Sequence, residues 1–367
     1  MGRELSGMAR GTLLWVPMAR WRVRFLIAGF GSIGRRHFRN LQALGYNDLL
    51  IWRARGRAAP PDESAAQGAL VFRDLEAALA QRPDVVIVAN PTSLHLPVSR
   101  AALRHGSHVL IEKPIADSLD GLSELLELAE RQGLTLMVGY NLRFHPHIRL
   151  MKQLVADGAV GTVYSARVEA GQYLPDWHPW ADYREGYSAR ADLGGGVVLD
   201  LSHELDYIIW LLGQPRTVTA MVEQVSPLEI DTEDLAEILI RFESGAVAGV
   251  HLDYLQRSGR RSCQLIGETG TILWDEAAGL VKLFSCRTGA WQEFPLPPGT
   301  DDNQTYLEEL EHFVDCVRRG VRPLITGQEG RAVLKVALAA KSAARTGLAV
   351  GLSAADASAL PSSMARE

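Results

Sequence analysis

A glycine-rich turn between a predicted strand and a predicted helix constrains the fold of this chain more than any other feature. The apolar run at 23–28 is typical of a buried strand, and it leads into Gly-Phe-Gly-Ser-Ile-Gly at 29–34, which has the GxGxxG spacing. The first glycine permits a tight turn, the second lets the backbone approach a pyrophosphate, and the third lets the helix pack closely on the strand. The sequence therefore predicts a dinucleotide whose phosphates lie at the N-terminus of that helix. The residues expected to bind them are Gly29, Gly31, Ser32, Ile33 and Gly34.

Strands and helices alternate along the first 140 residues. Further apolar runs lie at 48–52, 84–89, 108–111 and 135–138, and helical patterns separate them. Fully apolar strands that alternate with helices predict a parallel, doubly wound sheet of the Rossmann type. We therefore expect a Rossmann NAD(P)-binding domain over residues 21–140.

The pattern changes after about residue 140. Six segments between 163 and 274 have strand character, and Ser244-Gly245 marks a turn between two of them, which predicts a mostly antiparallel sheet. The predicted fold class is therefore α/β, with an α+β domain for substrate binding and oligomerisation over residues 141–350. Residues 1–20 and 351–367 are expected to be disordered extensions.

Composition narrows the class of protein. A chain of 367 residues with 47% hydrophobic and 22% charged residues is typical of two soluble domains. The net charge of -5 does not favour a nucleic-acid partner, and no run approaches the ~20 apolar residues of a membrane-spanning helix. Three distant cysteines without a CxxC pair argue against a disulfide framework or a zinc site. We expect free thiols, no metal and a cytoplasmic location.

The residues after the second predicted strand bear on the choice of cofactor. An acidic residue at this place would bind the ribose hydroxyls of NAD, but the sequence reads Trp-Arg-Ala-Arg at 52–55. Arginine suits the 2′-phosphate of NADP, so Arg53 and Arg55 are predicted to favour NADP over NAD. The alternative is that both arginines belong to a solvated basic loop.

Two polar segments follow the next strands of the predicted parallel sheet. Ligands bind beyond the carboxyl ends of such strands, which places both segments beside the cofactor. The residues predicted to contact the cofactor here are Asn90, Pro91, His95, Glu112 and Lys113. A lysine buried in this position can exchange a proton with a substrate hydroxyl near neutral pH, although a surface lysine is the commoner case.

A glycine run at 194–196 precedes Asp200 and His203. Glycines let the backbone pass close to a ligand, and residues three apart share one face of a helix. Asp200 is predicted to bind a substrate hydroxyl and His203 to donate or accept a proton. The alternatives are a helix N-cap for Asp200 and a core histidine for His203. A zinc-protease motif is excluded, because Tyr207 stands where the second histidine is required.

Taken together, these segments resemble the glucose–fructose oxidoreductase / inositol dehydrogenase (Gfo/Idh/MocA) family of NAD(P)-dependent oxidoreductases. The matching segments are GFGSIG at 29–34, VVIVANPTSLH at 85–95, EKP at 112–114, GYNLRFHP at 139–146 and GGGVVLDLSHELD at 194–206. The resemblance implies a Rossmann domain followed by a domain with an open sheet, and homodimers or homotetramers formed through that sheet. It also implies that a sugar or cyclitol hydroxyl is oxidised, or the ketone reduced. The sequence departs from many members in one respect. Those members place four positions between the aspartate and the histidine, whereas here the step from Asp200 to His203 is three.

The resemblance also implies roles for individual residues. Lys113 is expected to transfer the proton, Pro114 to follow a cis peptide bond, and Asp200 and His203 to meet the substrate. Tyr140 and Arg143 of the 139–146 segment are expected to bind substrate too.

The segment at 172–193 is predicted to select the substrate. Its aromatic side chains suit a sugar ring, and an arginine can fork to a carboxylate or phosphate. It looks like a subgroup associated with sugar modification for bacterial surface polysaccharides; the alternative is an aromatic-rich interdomain loop. The residues concerned are Trp177, His178, Tyr183 and Arg184. Two other functions stay open: an NAD(P)-binding regulator without turnover, and an enzyme that reduces C=N or C=C bonds or uses NAD transiently.

Overall fold

The computed structural model of the chain describes residues 23–53, 66, 68–301 and 303–352. The predicted extension at 1–20, Arg55 and residues 353–367 lie outside the described residues. Within the described ranges, no helix combines the length and the apolar character that a membrane span requires.

The first domain is a six-stranded parallel sheet with the strand order β3-β2-β1-β4-β5-β6. Strands β1 and β4 are buried along their whole length, which is why they consist of apolar residues. The prediction of a doubly wound parallel sheet is confirmed. The elements are β1 (Phe25–Ala28), α1 (Ser32–Ala43), β2 (Leu49–Trp52), β3 (Leu70–Phe72), α2 (Leu75–Leu79), β4 (Val85–Val88), α3 (His95–Arg104), β5 (His108–Glu112), α4 (Leu122–Arg131) and β6 (Leu136–Gly139).

The second domain is built on a nine-stranded sheet with the order β14-β13-β12-β11-β7-β10-β9-β8-β15. Strands β7 and β10 pair in parallel and the other pairs are antiparallel, so the sheet is mostly antiparallel as predicted. The elements are α5 (Pro146–Ala156), β7 (Val163–Gly171), α6 (Val197–Asp200), α7 (His203–Leu212), β8 (Pro215–Glu223), β9 (Leu235–Phe242), β10 (Val247–Asp253), β11 (Arg260–Gly267), β12 (Gly270–Asp275), β13 (Leu280–Ser285), β14 (Ala290–Pro295), α8 (Gln304–Arg319), α9 (Gly327–Thr346) and β15 (Val350–Gly351). Because Gly351 belongs to a strand, the ordered domain extends into the predicted tail.

Alternation of side chains gives the large sheet two different faces. In β9 every second residue is buried, as for Ile238 and Ile240, and the residues between them are exposed. The buried face packs against helices α6, α7 and α9. The opposite face, which we call the outer face, carries the exposed side chains of Met221, Leu239 and Ile266.

Helix α9 joins the two domains. Thr326 and Glu329 form a capping box that starts the helix, and the glycines of its first turn lie against the first domain. A side chain at Gly330 would collide with Val138 of β6, so glycine is required for this close approach. The C-terminal helix therefore fixes the second domain against the edge of the parallel sheet.

Candidate active site

A cleft of about 760 Å³ lies between the two domains, at the carboxyl ends of β1, β4 and β5. This is the edge at which an open parallel sheet binds its ligands. The cleft is lined by the phosphate loop, by the segments after β4 and β5, by the start of α7 and by the loop that precedes α6.

The geometry of the phosphate loop explains its glycines. Gly29 has a φ of +106°, and a side chain there would collide with the backbone of Ala89 and Asn90. A side chain at Gly34 would collide with the carbonyl of Gly29, whereas the space next to Gly31 is open. Within the described residues no side chain caps the N-terminus of α1. Gly31, Ser32 and Ile33 line the cleft, so the N–H groups of the first turn are available to an anion.

Arginines lie beside this loop. Arg53 lines the cleft after β2, and its backbone N–H donates to the carbonyl of Phe72. Arg35 and Arg36, on the first turns of α1, line the cleft as well. The sequence analysis missed both residues, although they directly follow the third glycine of the motif.

The segment after β4 provides an observation that supports a bound dinucleotide. The side-chain amide of Asn90 lines the cleft, is shielded from solvent, and has no hydrogen-bond partner among the described residues. Buried amides are nearly always paired, so a ligand that completes this group fits the site. Pro91 lies next to it in the cleft wall.

His95 lines the cleft in the segment predicted to contact the cofactor. One ring nitrogen lies 2.8 Å from the carbonyl oxygen of Pro114 and the other lies 2.9 Å from that of Asn90. Burial holds the pKa of His95 below its usual value, so the ring is neutral and donates to one carbonyl at a time. His95 therefore orders the cleft wall, and both of its nitrogens already face the backbone.

Lys113 and Asp200 form the polar centre of the cleft. The Lys113–Pro114 peptide bond is cis, as the resemblance implies. The Lys113 ammonium donates to the backbone oxygen of Asp200 at 2.5 Å and to its Oδ1 at 3.1 Å. The carboxylate also accepts hydrogen bonds from Ser188 at 2.6 Å, from Tyr254 at 3.2 Å and from Tyr187.

These contacts change the interpretation of Asp200. Burial favours a raised pKa, but Lys113 and the Ser188 and Tyr187 hydroxyls outweigh it and hold the pKa of Asp200 below its usual value. The carboxylate is therefore ionised and surrounded by donors from the protein. It orients Lys113 rather than offering a free oxygen to a substrate hydroxyl.

His203 lines the same cleft, and its Nδ1 is buried without a partner in the described part of the chain. Burial and the positive charges of Lys113 and Arg261 hold the pKa of His203 well below its usual value, so the ring is neutral. The expectation that Asp200 and His203 share one helical face is wrong. Helix α6 ends at Asp200 and α7 begins at His203, so the two residues belong to different helices.

Glu112 lies behind Lys113 and is held by a histidine. Its Oε1 is 2.6 Å from Nε2 of His37, and its Oε2 accepts the backbone N–H of Lys113 at 3.3 Å. Glu112 contributes to the cleft wall, but within the described contacts its carboxylate is directed toward His37. His37 was not a predicted site residue.

Only some of the substrate residues predicted in the loop before α6 line the cleft. Trp177, His178 and Tyr183 line the cleft. Arg184 does not, because its guanidinium lies 2.7 Å from Asp182 and 2.8 Å from Glu229 at the surface. Other lining residues were missed by the sequence analysis: Asn141, Leu174, Tyr187 and Ser188.

Tyr140 and Arg143 lie in the core rather than in the cleft wall. The Arg143 guanidinium is buried and binds Asp206 at 2.7 Å and Glu329 at 2.8 Å. The Tyr140 side chain is buried, its hydroxyl contacts Ser202 at 3.4 Å, and its ring meets the edge of His203. Both residues support the site from behind, so a direct substrate contact does not agree with the structure.

A metal centre does not form part of this arrangement. Across 23–53, 66, 68–301 and 303–352, no three His, Cys, Asp or Glu side chains converge as metal ligands. The cleft instead brings together the Lys113 ammonium, the Asp200 carboxylate, the neutral His203 ring and hydroxyl groups. This set of groups is suited to moving a proton to or from a bound molecule.

Comparison with known proteins agrees with this geometry. Residues 23–140 match the oxidoreductase family with an NAD-binding Rossmann fold, and residues 148–273 match the GFO/IDH/MocA C-terminal domain. The chain is 28% identical to 1,5-anhydro-D-fructose reductase of Ensifer adhaerens over 274 residues, which covers 72% of this chain and 79% of that protein. It is 26% identical to myo-inositol 2-dehydrogenase of Thermotoga maritima over 281 residues, or 70% and 76% of the two chains.

A solved structure gives the same result at the level of the fold. GenD2 from gentamicin A biosynthesis, in complex with NAD, superposes with a TM-score of 0.75 at 26% identity, covering 92% of this chain and 99% of that chain. Both halves of the sequence and the two-sheet fold therefore agree with those of known oxidoreductases. The chain belongs to the Gfo/Idh/MocA family of oxidoreductases with an NAD-binding Rossmann domain.

Proposed function

We propose that this protein transfers a hydride between a nicotinamide cofactor and a secondary hydroxyl or ketone of a sugar, a sugar nucleotide or a cyclitol. The observation that carries the proposal is the position of Lys113. Its ammonium lies in the same cleft as the phosphate loop and is oriented there by Asp200. Relatives named as an anhydrosugar reductase and an inositol dehydrogenase support the class of substrate.

Each group in the cleft has a task in this reaction. A bound nicotinamide supplies the acceptor or donor of the hydride. As a neutral amine, Lys113 takes the proton of the substrate hydroxyl during oxidation, and as the resulting ammonium it returns a proton during reduction. His203 is neutral, so it can accept or donate a hydrogen bond to that hydroxyl without adding charge.

The wall opposite the phosphate loop suits a carbohydrate. Trp177, Tyr183 and Tyr187 line it, and aromatic faces pack well against the C–H surface of a sugar ring. Since Arg184 is held by Asp182 and Glu229, the loop presents aromatic faces and hydroxyl groups to the substrate rather than a free guanidinium.

We also propose that NADP is preferred to NAD. Arg53 and Arg35 support this choice, because both line the cleft beside the phosphate loop. Guanidinium groups form short, charge-assisted hydrogen bonds to phosphate oxygens.

A second copy of the chain is the proposed partner of the outer face. The outer face exposes 67% of Met221 and 54% of Leu239, which is unusual for an apolar sheet surface in a monomer. Charged and polar side chains such as Arg167 and His251 surround a shallow depression beside them. A self-complementary contact through this face would bury the apolar residues.

The experiment that tests the function has two steps. First, nicotinamide fluorescence is followed while NADPH and NADH are titrated into the protein. Second, sugars, sugar nucleotides and cyclitols are screened with the oxidised cofactor, and formation of the reduced nicotinamide is recorded. We expect both the wild type and Lys113→Met to bind the cofactor, but Lys113→Met to turn over about 10²- to 10⁴-fold more slowly than the wild type.

Two results would contradict the proposal. If protein shown to be free of cofactor bound neither NADPH nor NADH, the cleft would not be a dinucleotide site. If Lys113→Met turned over at the rate of the wild type, Lys113 would not transfer the proton. A cofactor that cycles without net reduction would instead indicate that the nicotinamide is used transiently.

A further inference from the structure

A buried hydrogen bond connects the helix of the phosphate loop to the strand that precedes Lys113. His37 lies on α1 and Glu112 is the last residue of β5. The distance from Nε2 of His37 to Oε1 of Glu112 is 2.6 Å, and both side chains are buried. The second carboxylate oxygen of Glu112 accepts the backbone N–H of Lys113 at 3.3 Å. One carboxylate therefore contacts both the phosphate-loop helix and the peptide of the lysine.

The Glu112 carboxylate is ionised. Burial favours a raised pKa for Glu112, but the hydrogen bond and the attraction of His37, together with Lys113, hold that pKa below its usual value. A second buried carboxyl group, Glu309 of α8, has no hydrogen-bond partner among the described residues. Burial and the nearby charges of Glu112 and Asp206 raise the pKa of Glu309 well above its usual value. Glu309 is therefore neutral, and Glu112 is the ionised member of the two.

Stability alone does not account for a charged carboxylate in this place. Removing a charge from water is costly, and apolar residues of the same size are often as stable as a buried charged group with its partner. The contact with the Lys113 peptide is specific, however. A side chain added at Gly139 would come within 3.4 Å of the Glu112 carboxylate, so the neighbouring strand also leaves a defined space for it. The arrangement therefore suits a role in holding the Lys113 peptide in place.

We propose that His37 and Glu112 are positioning residues that hold the main chain of Lys113 at a fixed place relative to the phosphate loop. The inference rests on the proposed function, in which Lys113 transfers the substrate proton. Neither residue takes part in the chemistry. A displacement of the lysine by about 1 Å is enough to lower the rate of an enzyme by about 100-fold.

Selective labelling gives a test that does not depend on turnover. The chain has five lysines, Lys113, Lys152, Lys282, Lys335 and Lys341. A deuterated sample with ¹⁵N-lysine therefore gives at most five backbone amide signals, and the loss of one in Lys113→Arg assigns Lys113. Because the Lys113 N–H donates to Glu112, its chemical shift reports on the position of that carboxylate.

The variants are chosen to separate position from folding. His37→Leu removes the donor to Glu112, whereas His37→Gln keeps an N–H donor near the place of Nε2. We expect the Lys113 amide signal to move upfield in His37→Leu and to stay near its wild-type position in His37→Gln. His108→Leu is the matched control, since His108 lies at the other end of β5 and contacts the backbone of Thr135. If His37→Leu does not fold, Glu112→Gln must show the same upfield movement.

Kinetics complete the test. We expect kcat of His37→Leu to fall by about 100-fold while the Kd for NADPH changes little, and His37→Gln to recover most of the loss. An unmoved Lys113 amide in His37→Leu or Glu112→Gln would overturn the proposal, as would an equal movement in His108→Leu. If the variants show the expected amide shifts but the wild type oxidises no carbohydrate, the proposed function is wrong. The positioning role of His37 and Glu112 would still be supported.

Discussion

The Lys113 ammonium lies 2.5 Å from the backbone oxygen of Asp200 and 3.1 Å from its carboxylate. One contact is to the main chain and the other is to the side chain, so two separate hydrogen bonds at the end of α6 orient the lysine. The carboxylate is itself held by Ser188 and Tyr254. Asp200 and Lys113 therefore act as a unit, and their substitutions should not have independent effects.

The first prediction is a double-mutant cycle at this unit. Lys113→Met is expected to lower kcat by about 10²- to 10⁴-fold, the usual contribution of a general acid or base. Asp200→Asn should lower kcat because the lysine loses its charged partner. The double variant should be no slower than Lys113→Met, since the aspartate acts through the lysine. Steady-state kinetics of the four proteins provide the measurement.

Lys282→Met is the control for this cycle. Lys282 pairs with Glu293 between β13 and β14 of the large sheet, and neither residue lines the cleft. Its kcat should equal that of the wild type. Fully additive losses in the double variant would show that Asp200 has a separate role.

Tyr187 is the subject of the second prediction. Its hydroxyl donates to Asp200, and its ring lines the cleft. Tyr187→Phe keeps the ring but removes the donor, so kcat/KM should fall by about tenfold, equivalent to ~1.4 kcal/mol of transition-state stabilisation. Tyr164→Phe, at an exposed position of β7, should leave kcat/KM unchanged. Equal values for Tyr187→Phe and the wild type would mean that Ser188 and Tyr254 suffice to hold the carboxylate.

The parts of the site that follow from local backbone geometry could be predicted from the sequence. Gly29 is required by its positive φ and by the nearby backbone of Ala89 and Asn90, which follow the adjacent strand. Gly34 is required by the close carbonyl of Gly29, five residues earlier in the chain. Such requirements leave a fixed spacing in the sequence. Strand β9 was predictable for a similar reason, because one of its faces is buried and the other is exposed.

The parts that depend on distant partners could not be predicted. Arg143 lies close to other site residues in the sequence, but its partners Asp206 and Glu329 are 63 and 186 residues away, and they hold it in the core. The break between α6 and α7 likewise depends on tertiary contacts of Asp200. Strand β14 was missed because nearly all of its residues are exposed, so it has no alternating apolar pattern.

The third prediction concerns the choice of cofactor. Arg53→Ala should raise the Kd for NADPH by about 10- to 100-fold, since a hydrogen bond to a charged group contributes about 1.5–3 kcal/mol. The Kd for NADH should change little, because NADH has no 2′-phosphate. Fluorescence titration of both cofactors provides the measurement, and Arg104→Ala on the exposed end of α3 is the control. A wild type that prefers NADH would overturn the role of Arg53 and retain the enzyme class.

The fourth prediction tests the outer face. Leu239 is exposed on β9, the third strand from one edge of the large sheet, so Leu239→Arg would place a charge inside an interface between two copies formed through the outer face. Burial of an unpaired charge costs several kcal/mol, which is enough to dissociate a dimer of moderate affinity. Light scattering should show a dimer or tetramer for the wild type and a smaller species for Leu239→Arg. Leu348→Arg, at a position that is 69% exposed after α9, should keep the wild-type mass.

The last prediction follows from His251, which lies on the outer face between two carboxylates. Its Nδ1 is 2.6 Å from Glu237 and its Nε2 is 2.9 Å from Asp253, so both nitrogens are donors only when the ring is charged. The hydrogen bond to Asp253 outweighs burial and, with Glu237, raises the pKa of His251 to about 9. A folded-state pKa above the unfolded value of about 6.5 stabilises the protein below pH 6.5, and this stabilisation is lost as the pH rises through 9.

His251→Gln should therefore be less stable than the wild type at about pH 6.5, and the difference should vanish above pH 9. Urea unfolding of both proteins at several pH values measures this difference in the free energy of unfolding. Protein concentration is kept constant, because association through the same face would add to the apparent stability. Thr219→Val, at an exposed and non-titrating position of β8, is the control and should show a constant difference from the wild type. A constant difference for His251→Gln as well would mean that the ring stays neutral between its two carboxylates.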